Sequence, residues 1–299
     1  MTSTKKDQLK TLERKRRSHL IKYEVAGFLK NFAVLGLLPF GDGFLIGCFR
    51  IAIRSLPFLV GCGLTGNLLI GLISYVATWL ALLGICHLVE KSNEKALNAM
   101  QDECRADHLI FFGDLCRELG IEVETQRCTI SFDDGTVIDN QGHVTHPITP
   151  TFQRPVVSFR LYQMENWTEN SAYNDLLRDM PWNKTTMKDM FASIDFNRKF
   201  GIITNTDAQL DCLRFFTPSV MVEMIKNQPL QKFKEIDVHE DLFNASTEHS
   251  FTIPEILDMF AWTSLVKRYE ETEQFCRDFQ NAAQTIHTDM ESIQFMLTA

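Results

Sequence analysis

Positions 55–86 hold no charged residue, and that absence organises the chain. The run consists mainly of Leu, Ile, Val, Phe, Ala and Gly. An uncharged apolar stretch beyond about 18 residues exceeds what a soluble core helix needs and predicts a bilayer span. The short signatures of common catalysis are missing too. There is no Gly-x-Ser-x-Gly elbow, no Gly-x4-Gly-Lys-Ser/Thr phosphate loop, no His-Glu-x-x-His and no Cys-x-x-Cys pair. The expectation is a non-enzymatic protein with no catalytic residue, no cofactor and no metal. Residues 1–22 are polar and show no cleavage site, so no cleavable leader is expected.

Two apolar segments of spanning length, about 44–62 and 67–88, predict a transmembrane helical hairpin within a membrane module at 25–90. The first contains Arg50, Arg54 and Pro57. Gly61, Gly63 and Gly66 break the chain between the two segments. These glycines spell Gly-x-Gly-x-x-Gly, but between membrane segments that is no dinucleotide site. The competing reading is a single span, with the first segment lying in the interface. Upstream, residues 25–40 are apolar but short and end in Pro39-Phe40-Gly41-Asp42-Gly43, a turn.

Charge is distributed unevenly. Residues 1–22 carry eight Lys or Arg against Asp7 and Glu13, a net of +6; the chain is −8, which leaves −14 for the rest. Residues 1–24 therefore read as a basic juxtamembrane segment, with Lys15, Arg16 and Arg17 as contacts to anionic lipid headgroups. The same cations predict a cytosolic N-terminus. With an acidic remainder and an adjacent bilayer, lipid rather than nucleic acid is the expected anion. Eight cysteines, three of them (Cys48, Cys62, Cys86) in the membrane stretch, form no disulfide framework and read as reduced thiols.

Beyond the bilayer, Leu97, Met100, Cys104, His108, Phe111, Leu115 and Leu119 recur at steps of three and four, predicting a stalk helix over 91–120 stopped by Gly120. Residues 121–250 read as a cytosolic α+β domain. Short β-prone runs around Asp134-Gly135 and Gln141-Gly142 predict a small antiparallel sheet of three to five strands. Residues 165–230 read as helical, in fragments around Leu176 to Met180, Met187 to Phe191 and Leu210 to Ile225. Asp133, Asp134, Asp139, His143 and His146 cluster in the hairpin region, where Asp and His are ordinary turn residues.

The last segment, 251–299, reads as one long amphipathic helix opened by a Thr252–Glu255 capping box. Leu257, Phe260, Leu265, Tyr269, Thr272, Cys276, Phe279, Ala283, Ile286, Met290, Ile293 and Leu297 keep nearly heptad spacing. Straight through, such a helix would be about 70 Å long. Its expected partner is another long helix, the stalk or a second copy, through Phe279, Ile286, Met290 and Ile293. The fold class is thus an α+β membrane protein: an N-terminal transmembrane hairpin, a small antiparallel sheet, a helical region and a long C-terminal amphipathic helix. The expected role is a membrane-anchored scaffold or accessory subunit. It would be integral to the membrane, with its soluble domain facing the cytosol, and recruit other subunits or itself. The alternative is an oligomeric transport or pore-forming subunit lined by Arg50 and Arg54.

Overall fold

A computed structural model describes residues 1–37, 44–125, 127–148, 157–164, 183–187, 190–239, 241–254 and 258–298, with backbone alone at 32–37, 44–54 and 298. The chain divides into two compact units, residues 1–109 with 255–270, and residues 110–254 with 271–299. Two helices, Leu68–Glu118 and Leu265–Thr298, contribute to both.

The first unit is helical. Helix α1 is Ser3–Leu37, α2 is Phe44–Thr65, and α3 begins at Leu68 and runs without interruption to Glu118. The second apolar segment and the stalk are therefore a single helix of 51 residues. Residues 39–43, read as a turn, lie outside the described set. Helix α1 runs antiparallel to α3: Lys5 pairs with Asp107, His19 Nδ1 lies 2.8 Å from Asn93 Oδ1, and Lys30 Nζ is 2.6 Å from Glu90 Oε2. It also runs antiparallel to residues 260–270. Tyr23 meets Phe260 edge-on at 5.5 Å, Ser264 donates to Glu13, and Lys6 pairs with Glu270. Leu9, Leu20, Ala26, Leu97, Met100, Cys104, Met259, Leu265 and Tyr269 are buried here. The basic N-terminal segment is thus part of a helix that packs within this unit. Trp262 is half exposed, and its indole N–H donates to Glu24.

Among the described residues the second unit is built on one antiparallel sheet of nine strands, where three to five were expected. The strands are β1 (Ile121–Glu124), β2 (Arg127–Ser131), β3 (Val137–Asp139), β4 (His143–Pro147), β5 (Phe159–Gln163), β6 (Lys184–Thr186), β7 (Phe200–Asn205), β8 (Phe233–Val238) and β9 (Leu242–Thr247). Their order is β1-β2-β3-β4-β9-β8-β5-β7-β6. Gly135 and Gly142 sit in the β2–β3 and β3–β4 turns at positive φ, 89° and 84°, a conformation open to glycine at no steric cost. A side chain at Gly142 would also run into the His249 carbonyl and the Thr247 hydroxyl.

Among the described residues of 165–230, read as helical in fragments, short helices α4 (Ile194–Lys199), α5 (Gln209–Phe215) and α6 (Pro218–Lys226) are present, and strands β6 and β7 lie in the same region. Residues 176–180, read as one helical fragment, lie outside the described set. Met187 to Phe191, read as another, holds no helix among its described residues. Ser193 caps α4, accepting from the Phe196 N–H, and Thr217 caps α6 ahead of Pro218.

Helix α7, Leu265–Thr298, begins well after the predicted start, since 251–254 is not helical; Glu255 and Leu257 lie outside the described residues. At 34 residues it is about 50 Å long. Every seam residue from Leu265 to Leu297 is buried. Within the second unit, Cys276, Phe279, Ala283, Ile286, Met290, Ile293 and Leu297 share one core with Leu115 and Cys116 of α3 and the strands. The seam is therefore filled from within the chain, by the stalk end of α3, one of the two partners expected, together with the strands, which were not expected there. Strands at roughly 4.8 Å spacing make this sheet about 40 Å across, comparable with the length of the part of α7 that belongs to this unit.

Candidate functional site

The helical unit carries an exposed apolar hairpin made from α2 and the first part of α3. Thr65 returns its hydroxyl to the Gly61 carbonyl at 2.7 Å, Gly66 turns the chain at φ 65°, and Asn67 caps α3 by accepting from the Leu69 N–H at 2.9 Å. The arms meet where side chains are smallest. A Cβ on Gly61 would lie 3.0 Å from the Cα of Gly71, and one on Gly71 would run into Cys62 Sγ.

Away from this seam the surface is aliphatic. Leu56, Leu59, Val60 and Leu64 of α2 are exposed, as are Leu68, Leu69, Ile70, Leu72, Ile73, Val76, Leu80, Ile85, Leu88 and Val89 of α3, at 37–82%. Soluble monomers rarely expose contiguous apolar patches beyond a few hundred Å². Moving these fourteen side chains from water to an apolar phase is worth on the order of 20 kcal/mol. On α3 this run of exposed aliphatic side chains stops at Glu90, whose carboxylate holds Lys30. Among the described residues, α3 is the one helix long and apolar enough to cross a membrane; Ser55–Thr65 is apolar but shorter.

The expected lipid contacts divide. Lys15 is exposed, and Arg17 is exposed with Nη2 2.6 Å from Glu13 Oε1. Arg16 must be corrected: it is fully buried, and its Nη2 donates to the Thr263 carbonyl at 2.5 Å, out of reach of any headgroup. Burial lowers its pKa, and the neighbouring Glu13 carboxylate opposes that. Phe279, Ile286, Met290 and Ile293, expected to meet a partner, lie in the core of the sheet unit. The side chains of Arg50 and Arg54 lie outside the described residues.

In the sheet unit, the hairpin cluster of Asp and His separates into two groups. Asp139 accepts from the backbone N–H groups of Gln141 and His143 and pairs with Arg127 at 2.9 Å and His143 at 3.1 Å. Burial raises its pKa, but these contacts, those of His143 foremost, outweigh it and hold the carboxyl below its ordinary value. Asp133 is exposed.

The second group gathers residues far apart in sequence. Asp134 Oδ1 accepts the Thr136 N–H at 2.9 Å, and Oδ2 lies 2.9 Å from His287 Nε2 on α7. Burial here is outweighed by Thr136 and His287, and the carboxyl is pulled down to about 2. His146 is fully buried between Thr136 Oγ1 at 2.7 Å and Gln294 Oε1 at 2.6 Å, an arrangement that suits an Nε2–H donating to Gln294. His287 stacks flat on Phe132, centroids 4.1 Å apart and planes within 6°. Glu291, one turn along α7, completes a set of three donors with Asp134 and His287.

His287 and Glu291 were not singled out from sequence, although their spacing of four on a helix was visible there. Their link to Asp134 spans 153 positions and left no local trace. No family model, curated protein or solved structure matches the chain.

Proposed function

We propose that this chain is a membrane-anchored scaffold or accessory subunit, held by its apolar hairpin and displaying the sheet unit to other proteins. One observation carries the anchoring: the fourteen exposed aliphatic side chains between Leu56 and Val89, which end at the Lys30–Glu90 pair. From Leu68 to Glu90 a helix rises about 33 Å, matching a hydrocarbon core of roughly 30 Å. Gly61 against Gly71 supports α2 as the second arm, since small residues let membrane helices approach closely. The basic N-terminal segment favours a cytosolic face for Met1. With both arms inserted, the sheet unit returns to that side. Lys15 and Arg17, exposed on α1, remain the headgroup contacts of this reading.

The absence of a catalytic signature and the filling of the α7 seam from within direct recruitment to the outer surface of the sheet unit. The test is insertion. Full-length protein made in a cell-free system with phosphatidylcholine–phosphatidylglycerol vesicles should float with them and resist alkaline carbonate. A variant with Leu69, Ile73 and Val76 all replaced by Glu should stay in the soluble or aggregated fraction. Wild-type protein released by carbonate would overturn the anchoring. A closed homo-oligomer that conducts ions would replace the scaffold with the pore.

A further inference from the structure

We propose that Asp134, His287 and Glu291 bind a single first-row divalent cation, Zn²⁺ by preference, which staples α7 to the β2–β3 hairpin. Their donor atoms all lie within 4.8 Å of one another. His287 and Glu291 stand four apart on α7, so both project from one face; Asp134 comes from the turn between β2 and β3. The donors are oriented before any ion arrives. Stacking on Phe132 fixes the plane of the imidazole, and the Thr136 N–H engages Asp134 Oδ1, leaving Oδ2 directed at His287.

Zinc bonds to imidazole nitrogen and carboxylate oxygen run about 2.0–2.2 Å, which places two tetrahedral donors roughly 3.3 Å apart. Nε2 and Oδ2 stand 2.9 Å apart, so a few tenths of an ångström of opening admits the ion. For Nε2 to become a ligand the hydrogen between it and Oδ2 moves, in the neutral imidazole, to Nδ1, which leaves the Nε2 lone pair for the ion. One imidazole with two carboxylates suits Zn²⁺ and its first-row neighbours; Ca²⁺ and Mg²⁺ prefer all-oxygen shells. Three protein donors leave the fourth position to water.

The competing account is an ion pair between Asp134 and His287 that merely docks the helix. Glu291 separates the two, because the pair has no need of it. The exposed Glu291 side chain can also be changed without touching the core.

The experiment uses the full chain in detergent, stripped with chelator and titrated with Zn²⁺ by calorimetry and with Co²⁺ by visible absorption. We expect one Zn²⁺ per chain, a rise in thermal midpoint on binding, and no competition from Ca²⁺ or Mg²⁺. Glu291→Gln should weaken uptake by at least about tenfold with an unchanged metal-free melt. His287→Ala should abolish uptake, whereas His143→Ala, whose imidazole pairs with Asp139, should leave it intact. No saturable one-to-one uptake, or uptake unchanged in Glu291→Gln, overturns the site.

Discussion

Gly61 and Gly71 pass so closely that a Cβ on either would press on the opposite arm of the hairpin; at Gly71 it would meet Cys62 Sγ and stand 3.1 Å from the Phe58 carbonyl oxygen. Neither glycine has a positive φ, so their value lies in the space they leave.

Gly71→Leu should therefore splay α2 from α3 despite the better helix propensity of Leu, at an overpacking cost of about 1–3 kcal/mol. The alkylation rate of Cys62 in detergent reports the gap. Gly84→Leu is the control, since a Cβ there meets nothing within 4 Å. Faster labelling of Cys62 in the first variant and an unchanged rate in the second is the expected pattern. Equal rates would mean the arms do not depend on this crossing.

The seam of α7 should behave as an internal core. Ile286 and Ile293 are buried beside Phe279 and Met290 in the sheet unit, while Gln284 is exposed. Ile286→Asp and Ile293→Asp each place an uncompensated carboxylate in an apolar interior, costing on the order of several kcal/mol. Thermal melts of the full chain should fall steeply for both and stay put for Gln284→Asp. Loss of stability without a change in particle mass is the expected result. A drop in mass at unchanged stability would return the seam to an intermolecular role.

Acid should loosen the α7–hairpin contact in a defined window. Asp134 titrates at about 2 in the folded chain against an ordinary 3.8. A depressed carboxyl stabilises the fold above the unfolded pKa and loses that contribution as pH falls through the folded one. The difference is worth about 2 kcal/mol, present near neutrality and lost between about pH 4 and pH 2. Denaturant midpoints in chelator should show Asp134→Asn less stable than wild type near neutral pH, with the gap closing across that window. Asp139 is also held below its ordinary value, so the difference between the two proteins isolates Asp134. A gap that persists at the acid end would assign the loss to packing.

Elements with a strong local signal were legible in the sequence. Composition alone marked the apolar run that is exposed in the helical hairpin, because an uncharged stretch of that length carries its own signal whatever packs on it. Steps of three and four marked the stalk that extends α3 to Glu118, and the seam whose residues from Leu265 onward are all buried. Asp134-Gly135 and Gln141-Gly142 marked two turns, since glycine alone enters positive φ there without cost.

What the seam faces was decided only in three dimensions. The large sheet depends on β7, β8 and β9. Phe200–Asn205 is buried on both faces and so lacks the alternation that betrays a strand, while Phe233–Val238 and Leu242–Thr247 acquire meaning only by pairing with each other and with β5 and β4. Arg16 looks like its exposed neighbours until residues 260–270 fold over α1 and enclose it. Asp134 reads as a turn residue until α7 brings His287 to it across 153 positions. Periodicity records which face of an element shuns water, whereas the partner of that face is settled by competition among all the apolar surfaces of the chain.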